Sequence, residues 1–125
     1  MPAIKKRRWV VNQAYNAPVD GDIVLLADRS YKLISIRARI DAQSSAGAAS
    51  GVLEKVASGT DAASGTAVIS DSLNFAGGTV DTNIDLTLST TAHETILRPG
   101  DALGWDVTGT VTAGRGVLNI VLEEI

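Results

Sequence analysis

Turn signals at short intervals, two segments of strict apolar–polar alternation and the lack of any long helical pattern predict an all-β sandwich for this chain. The turn signals are Asp20-Gly21, Gly47, Gly51, Gly59, Gly65, Gly77-Gly78, Pro99-Gly100, Gly109 and Gly114. Aromatic residues make up 4% of the chain, and aliphatic residues with Thr, Ser and Gly supply most of the rest.

Taken in order, the first expected strand is Arg8–Val11 and the second Ile23–Ala27. The third, Tyr31–Asp41, alternates cleanly: Ile34, Ile36, Ala38 and Ile40 share one face, and Ser35, Arg37, Arg39 and Asp41 the other. Successive side chains of a strand point to opposite faces, so this reads as a half-buried antiparallel strand with one wet face. Gly51–Ala57 and Thr66–Phe75 follow with weaker patterns. Val80–Ser89 alternates again, with Val80, Ile84, Leu86 and Leu88 against Asp81, Asn83, Asp85, Thr87 and Ser89. Leu103–Val107 and Gly116–Glu123 complete the set, the last with Leu118, Ile120 and Leu122 on one face and Asn119 on a mixed one. About eight strands is the number of a jelly roll. Ala92–Leu97 is long enough for one helical turn before Pro99, and the Ala/Ser/Gly-rich stretches Ala42–Ser50 and Ser58–Gly65 read as exposed loops.

A length of 125 residues fits one domain. There is no cysteine, which excludes disulfide frameworks and Cys-based zinc sites. Charge is uneven: Lys5, Lys6, Arg7 and Arg8 carry +4 of a net −3, leaving −7 on the remainder. The division expected is an extended basic N-terminal arm over residues 1–8 and a single domain over 9–125. The arm suits an anionic surface or is a solvated tail, and the acidic body argues against a broad nucleic-acid footprint. No run approaches a membrane span, the apolar stretch after the basic residues is too short for a signal sequence, and no Asn-x-Ser/Thr site occurs.

Few residues invite chemistry. His93 stands alone, beside Glu94 in a polar segment, with no second histidine to complete a metal site and no Gly-x-Ser-x-Gly nucleophile turn. It reads as a surface residue. Asp20, Asp22, Asp81, Asp85, Asp101 and Asp106 suit turns and solvent-facing positions, and Asp20-Gly21-Asp22 lacks the other ligands of an EF-hand, although a loop calcium site stays open. Gly114-Arg115-Gly116 and Gly77-Gly78 match no phosphate loop. Trp105, on the face of Leu103 and Val107, reads as core. Trp9 reads either as core or as interface. Arg37 and Arg39 face either a partner or water. Tyr15 and Tyr31 are too few for a lectin groove.

The stretch Leu97-Arg98-Pro99-Gly100-Asp101-Ala102-Leu103-Gly104-Trp105-Asp106-Val107-Thr108-Gly109-Thr110 resembles small tailed-phage head decoration (cement) proteins. In that family a Gly-Asp turn enters an apolar strand, a Thr-Gly-Thr-like turn follows, and a Gly-Val-Leu-x-Ile-x-Leu strand closes the domain, here Gly116–Leu122. The likeness extends to Lys32–Ala42 and Ala57–Gly65, about two-thirds of the chain. It implies a jelly-roll homotrimer bound to the major capsid protein on the outer face of the virion. Such a protein is made in the host cytoplasm and stabilises the mature head without enzymatic activity or cofactor. Lys5, Lys6, Arg7, Arg8 and Trp9 are the candidate capsid contacts, with neither direct nucleic-acid binding nor membrane association expected. Two alternatives stand beside it: a phage-tail receptor-binding or fibre-tip domain for cell-surface carbohydrate, and a small hydrolase on the same scaffold. Replacing Ile36 or Leu86 with Asp is expected to prevent folding, because an unpaired charge would enter the core; a soluble, folded variant would contradict the assigned face.

Overall fold

Alternation and turn chemistry produce ten strands, seen in a computed structural model that describes residues 7–45, 47–61, 64–77 and 79–125. The strands are β1 (Arg8–Asn16), β2 (Ile23–Leu26), β3 (Tyr31–Ala42), β4 (Ser50–Val56), β5 (Thr66–Ala67), β6 (Leu73–Asn74), β7 (Thr82–Leu86), β8 (Ile96–Leu97), β9 (Ala102–Thr108) and β10 (Arg115–Glu124). All ladders are antiparallel. One sheet runs β1-β10-β3-β7, with β8 also on β3; the other runs β2-β9-β4-β5, with β6 also on β4. Counted as interrupted single strands, β5/β6 and β7/β8 leave eight strands in two four-stranded sheets. First pairs with last and second with second-last, which is the jelly-roll order.

Along one side the sheets are tied together. Ile69 bridges Leu88, the Ser70 N–H donates to the Thr87 carbonyl, and the Ser89 N–H donates to the Val68 carbonyl, both at 2.8 Å. On the opposite side β1 and β2 end their sheets with no ladder between them.

The core lies between the sheets. Leu118, Ile120 and Leu122 are all buried, as their alternation predicts. On β3 the prediction needs one correction. Leu122 pairs with Leu33 and Val121 with Ser35, so Ile34 is left over as a bulge. A bulge shifts the alternation by one residue. Tyr31 and Leu33 are therefore buried ahead of it, Ile36, Ala38 and Ile40 behind it, and Ile34 is only half-buried. Ile36 and Leu86 are cross-strand partners and both buried. Val80 lies outside β7 and is exposed, and the expected strand Thr66–Phe75 survives only as its two ends, β5 and β6. The turn expected near Ala92 is a 3-10 turn over Ala92–Thr95. The stretch 42–50 is not simply exposed: Ser44 and Ala49 are buried, and the Ser44 N–H donates to the Phe75 carbonyl at 2.8 Å.

Three aromatic rings meet edge-on at the centre. Tyr15 of β1 lies 5.5 Å from Phe75 and 6.1 Å from Trp105 of β9, and Phe75 lies 5.3 Å from Trp105. Such tilted contacts are the favoured arrangement of aromatic pairs. Gly51, which starts the expected strand Gly51–Ala57, lies inside β4, where a Cβ would sit 2.7 Å from the Trp105 ring and 2.8 Å from Phe75. Glycine is needed there for room. Gly51→Ala is expected to cost about 1–3 kcal/mol through overpacking, and Trp105→Ala about 3–5 kcal/mol through the cavity it leaves. Urea unfolding measures both; unchanged stability of Gly51→Ala would contradict the spacing role.

Candidate interaction surface

The residues expected to contact a partner begin before the described region. Lys5 and Lys6 lie outside the described residues. Arg7 is exposed, and its carbonyl accepts from the Glu124 N–H at 2.8 Å. Arg8, placed in the arm by its charge, is the first residue of β1, opposite Glu123, and its Nε lies 3.1 Å from the Glu123 carboxylate. The ladder therefore begins inside the segment assigned to the arm.

Trp9 is neither fully core nor fully exposed. It pairs with Leu122 across the ladder and so points to the core side, yet it sits at the sheet margin with 43% of its surface exposed. Seven large apolar residues are exposed among those described. Trp9 and Val10 on β1, Val19 in the following turn, and Ile23 and Leu26 on β2 all belong to the open side of the sandwich. Leu26 is 72% exposed. The cause is topological: β1 and β2 each have a neighbour on one side only, so their apolar side chains have nothing beyond them. A shallow cleft between the two strands is lined by Gln13, Tyr15, Pro18, Ile23 and Val24, with Trp105 among its walls. By register Val10 lies on the outer face of the first sheet and Ile23 and Leu26 on the outer face of the second, so the exposed apolar residues share the two marginal strands and not one face.

The outer face of the first sheet is different. Asn12, Asn119, Arg37 and Asp85 form a row across four strands. The Asn119 side-chain amide donates to the Asn12 side-chain oxygen Oδ1 at 2.9 Å, and Arg37 lies 2.9 Å from Asp85. Arg39 reaches Asp41 at 3.4 Å and Asp81 at 3.7 Å. Both arginines are thus exposed and matched by local carboxylates, and pairs of this type contribute little to stability.

The loop carboxylates are spent on backbone. Asp20 accepts from the Val107 N–H at 2.9 Å, Asp22 from the Val19 N–H at 2.9 Å, and Asp101 from the Arg98 N–H at 3.0 Å. Among the described residues no group of three or more His, Asp or Glu side chains converges on a possible metal position. His93 is exposed, and its carbonyl accepts from Lys55 Nζ. Both tyrosines are buried, which removes them as sugar-stacking surfaces. One carboxylate escaped the sequence reading. Glu54 is buried on β4, accepts from the Gly65 N–H at 3.1 Å, and has its pKa raised by burial and then by Asp106. Nothing in its local sequence distinguishes it from a solvent-facing strand residue, because the covering Gly65 is brought in by tertiary contact.

No protein-family model matches the chain, and no curated protein matches it. Among solved structures, a chain of the Bacillus endospore appendages, described as a family of disulfide-linked pili, is similar over 99% of this chain and 93% of its own. Its identity is 16% and the TM-score 0.52, which is a likeness of fold.

The Tyr15 hydroxyl, beside Gly116 of β10, is buried with no hydrogen-bond partner among the described residues. Burial, with a smaller contribution from Asp41, pushes its pKa up to about 12. Between the ordinary value near 10 and that value the folded state holds a proton the unfolded state has lost, so stability falls as pH rises across this window. Tyr15→Phe is expected to leave neutral-pH stability unchanged or raise it by up to about 1 kcal/mol, and to shrink the alkaline loss. Denaturant midpoints at pH 8 and about pH 11 test this; an undiminished alkaline loss in the variant would contradict it.

Proposed function

We propose that this chain is a non-enzymatic structural protein that binds the outer surface of a tailed-phage capsid and stabilises the mature head. The observation that carries the reading is the exposure of five large apolar residues on β1, β2 and the turn between them, with Arg7 and Arg8 at the start of β1. Apolar contact supplies affinity there, while the basic residues steer and orient docking on an anionic surface. The sequence resemblance gives the surface its identity as a phage head. The Gly100–Asp101 turn that carries that resemblance leads into β9, and the closing strand is β10, which lie beside β2 and β1 respectively.

The mechanism is linkage. A protein that binds the mature lattice and not its immature or disrupted forms lowers the free energy of the mature lattice alone. Many copies on one shell multiply a modest contact. A carbohydrate-binding tail domain draws no support from Tyr15 and Tyr31, which are buried. A second reading, a filament subunit, takes support from the fold shared with the endospore appendage protein. This chain has no cysteine, so any such filament would be held without disulfides.

Co-sedimentation with mature phage heads lacking the protein, with immature proheads as the control, tests the proposal. Saturable binding to mature heads alone is expected, and replacing Lys5, Lys6 and Arg7 together with Ala is expected to weaken it about tenfold, or about 1.4 kcal/mol. Absence of binding by the folded protein would overturn the capsid reading, and filaments of the pure protein in electron micrographs would favour the second.

A further inference from the structure

The four sheet margins are not alike. On the closed side, β5 and β6 are two-residue pieces, and β7, which carries Asp85, is separated from the two-residue β8. β2 has four residues and a register shift between Ile23 and Leu25. Short, broken, bulged or charged margins resist pairing with another chain. β1 has none of these protections. It is nine residues long, its register with β10 is unbroken from Arg8 to Asn16, and after Arg8 it holds no charge, proline or glycine.

Two bonds outside the ladder fix which groups of β1 are free. The Glu124 N–H donates to the Arg7 carbonyl at 2.8 Å, and the Ala17 N–H donates to the Gly114 carbonyl at 2.7 Å. Bonded and non-bonded pairs alternate along an antiparallel ladder. Trp9, Val11, Gln13 and Tyr15 therefore direct their backbone groups to β10. Val10, Asn12 and Ala14 direct theirs outward, and among the described residues no backbone group from another strand meets them; the Gln13 side-chain amide reaches the Ala14 carbonyl at 3.4 Å.

The geometry points to a second copy of this chain as the occupant of that margin, paired antiparallel through β1 about a two-fold axis at Asn12. Three features favour a copy of the same strand. With full overlap, Arg8 faces the neutral Asn16, whereas a parallel arrangement would bring the two Arg8 side chains together. Val10 falls opposite Ala14 on the outer face. Asn12 meets the Asn12 of the second copy, which extends the Asn12–Asn119 amide contact across the axis. In this register every outward-facing backbone group of one strand finds a complement on the other. An axis normal to the sheet also turns the two β2 margins, with Ile23 and Leu26, toward each other in the second layer.

This pairing uses the β1–β2 side that the capsid reading also uses, and gives a two-fold dimer in place of the trimer that the family resemblance implies. Sedimentation equilibrium of the full chain over a dilution series is expected to give twice the 13.0 kDa mass. Asn12→Lys, which sets like charges on the axis, and Ala14→Pro, which removes an outward N–H and spares the β10 ladder, are each expected to give folded monomers. Asn12→Cys introduces the chain's sole thiol at a facing distance of about 5.5 Å, within disulfide reach. Mild oxidation is expected to link it to the second copy, while Ser58→Cys stays unlinked. A monomer or trimer at every concentration would overturn the pairing, as would folded Asn12→Lys that remains a dimer. Failure of Asn12→Cys to cross-link would overturn the register.

Discussion

The edge-on contact of Tyr15, Phe75 and Trp105 sets how the two sheets meet. Tyr15 comes from one sheet, Trp105 from the other, and Phe75 from the segment just after β6. Three of the five aromatic residues in a chain poor in them are used here, so a large share of its bulky apolar volume is committed to one place. Two glycines make the contact possible. Gly51 clears the Trp105 and Phe75 rings from below, and at Gly116 a Cβ would lie 2.0 Å from the Arg39 carbonyl and 2.5 Å from the Tyr15 hydroxyl. The rest of the core is aliphatic and follows from alternation on β3, β9 and β10. The same arrangement strands the Tyr15 hydroxyl in the interior, which is why its proton is held so tightly.

From this centre the molecule is asymmetric. One side is sealed by the Ile69–Leu88 bridge and by strands too short to template another chain. The other side presents a long strand uncharged after Arg8, a short apolar one, and five large apolar side chains in water. Natural sheets usually blunt such margins, and this one does so on one side only. The contrast links the fold to the proposed function: the open side is the surface we propose for joining an assembly.

Much of the fold is legible in the sequence because alternation reports the face of a strand directly. That reading works for Leu118, Ile120 and Leu122, and for Trp105. It slips on β3, where the bulge at Ile34 exchanges the burial of Leu33 and Ile34; an extra residue in a ladder leaves no mark in apolar periodicity. Gly51 reads both as a turn signal and as the start of a strand, because its reason is a ring approaching from a distant strand. Tyr15 lies at the end of β1, beyond the stretch Arg8–Val11 whose apolar residues make the strand visible, and the polar Asn12, Gln13 and Asn16 hide the remainder. The open side is half visible: Arg7, Arg8 and Trp9 draw attention through charge and size, while Ile23 and Leu26 look like ordinary core until β2 is seen to be marginal.

The most direct test of the assembly account is residue-resolved amide hydrogen exchange along β1 in dilute and in concentrated or capsid-bound protein. The account predicts that Trp9, Val11, Gln13 and Tyr15 exchange slowly in every state, held by β10, while Val10, Asn12 and Ala14 exchange quickly when dilute and slow sharply on assembly. Slow exchange of Val10, Asn12 and Ala14 in the dilute monomer, or no change in them on assembly, would contradict it.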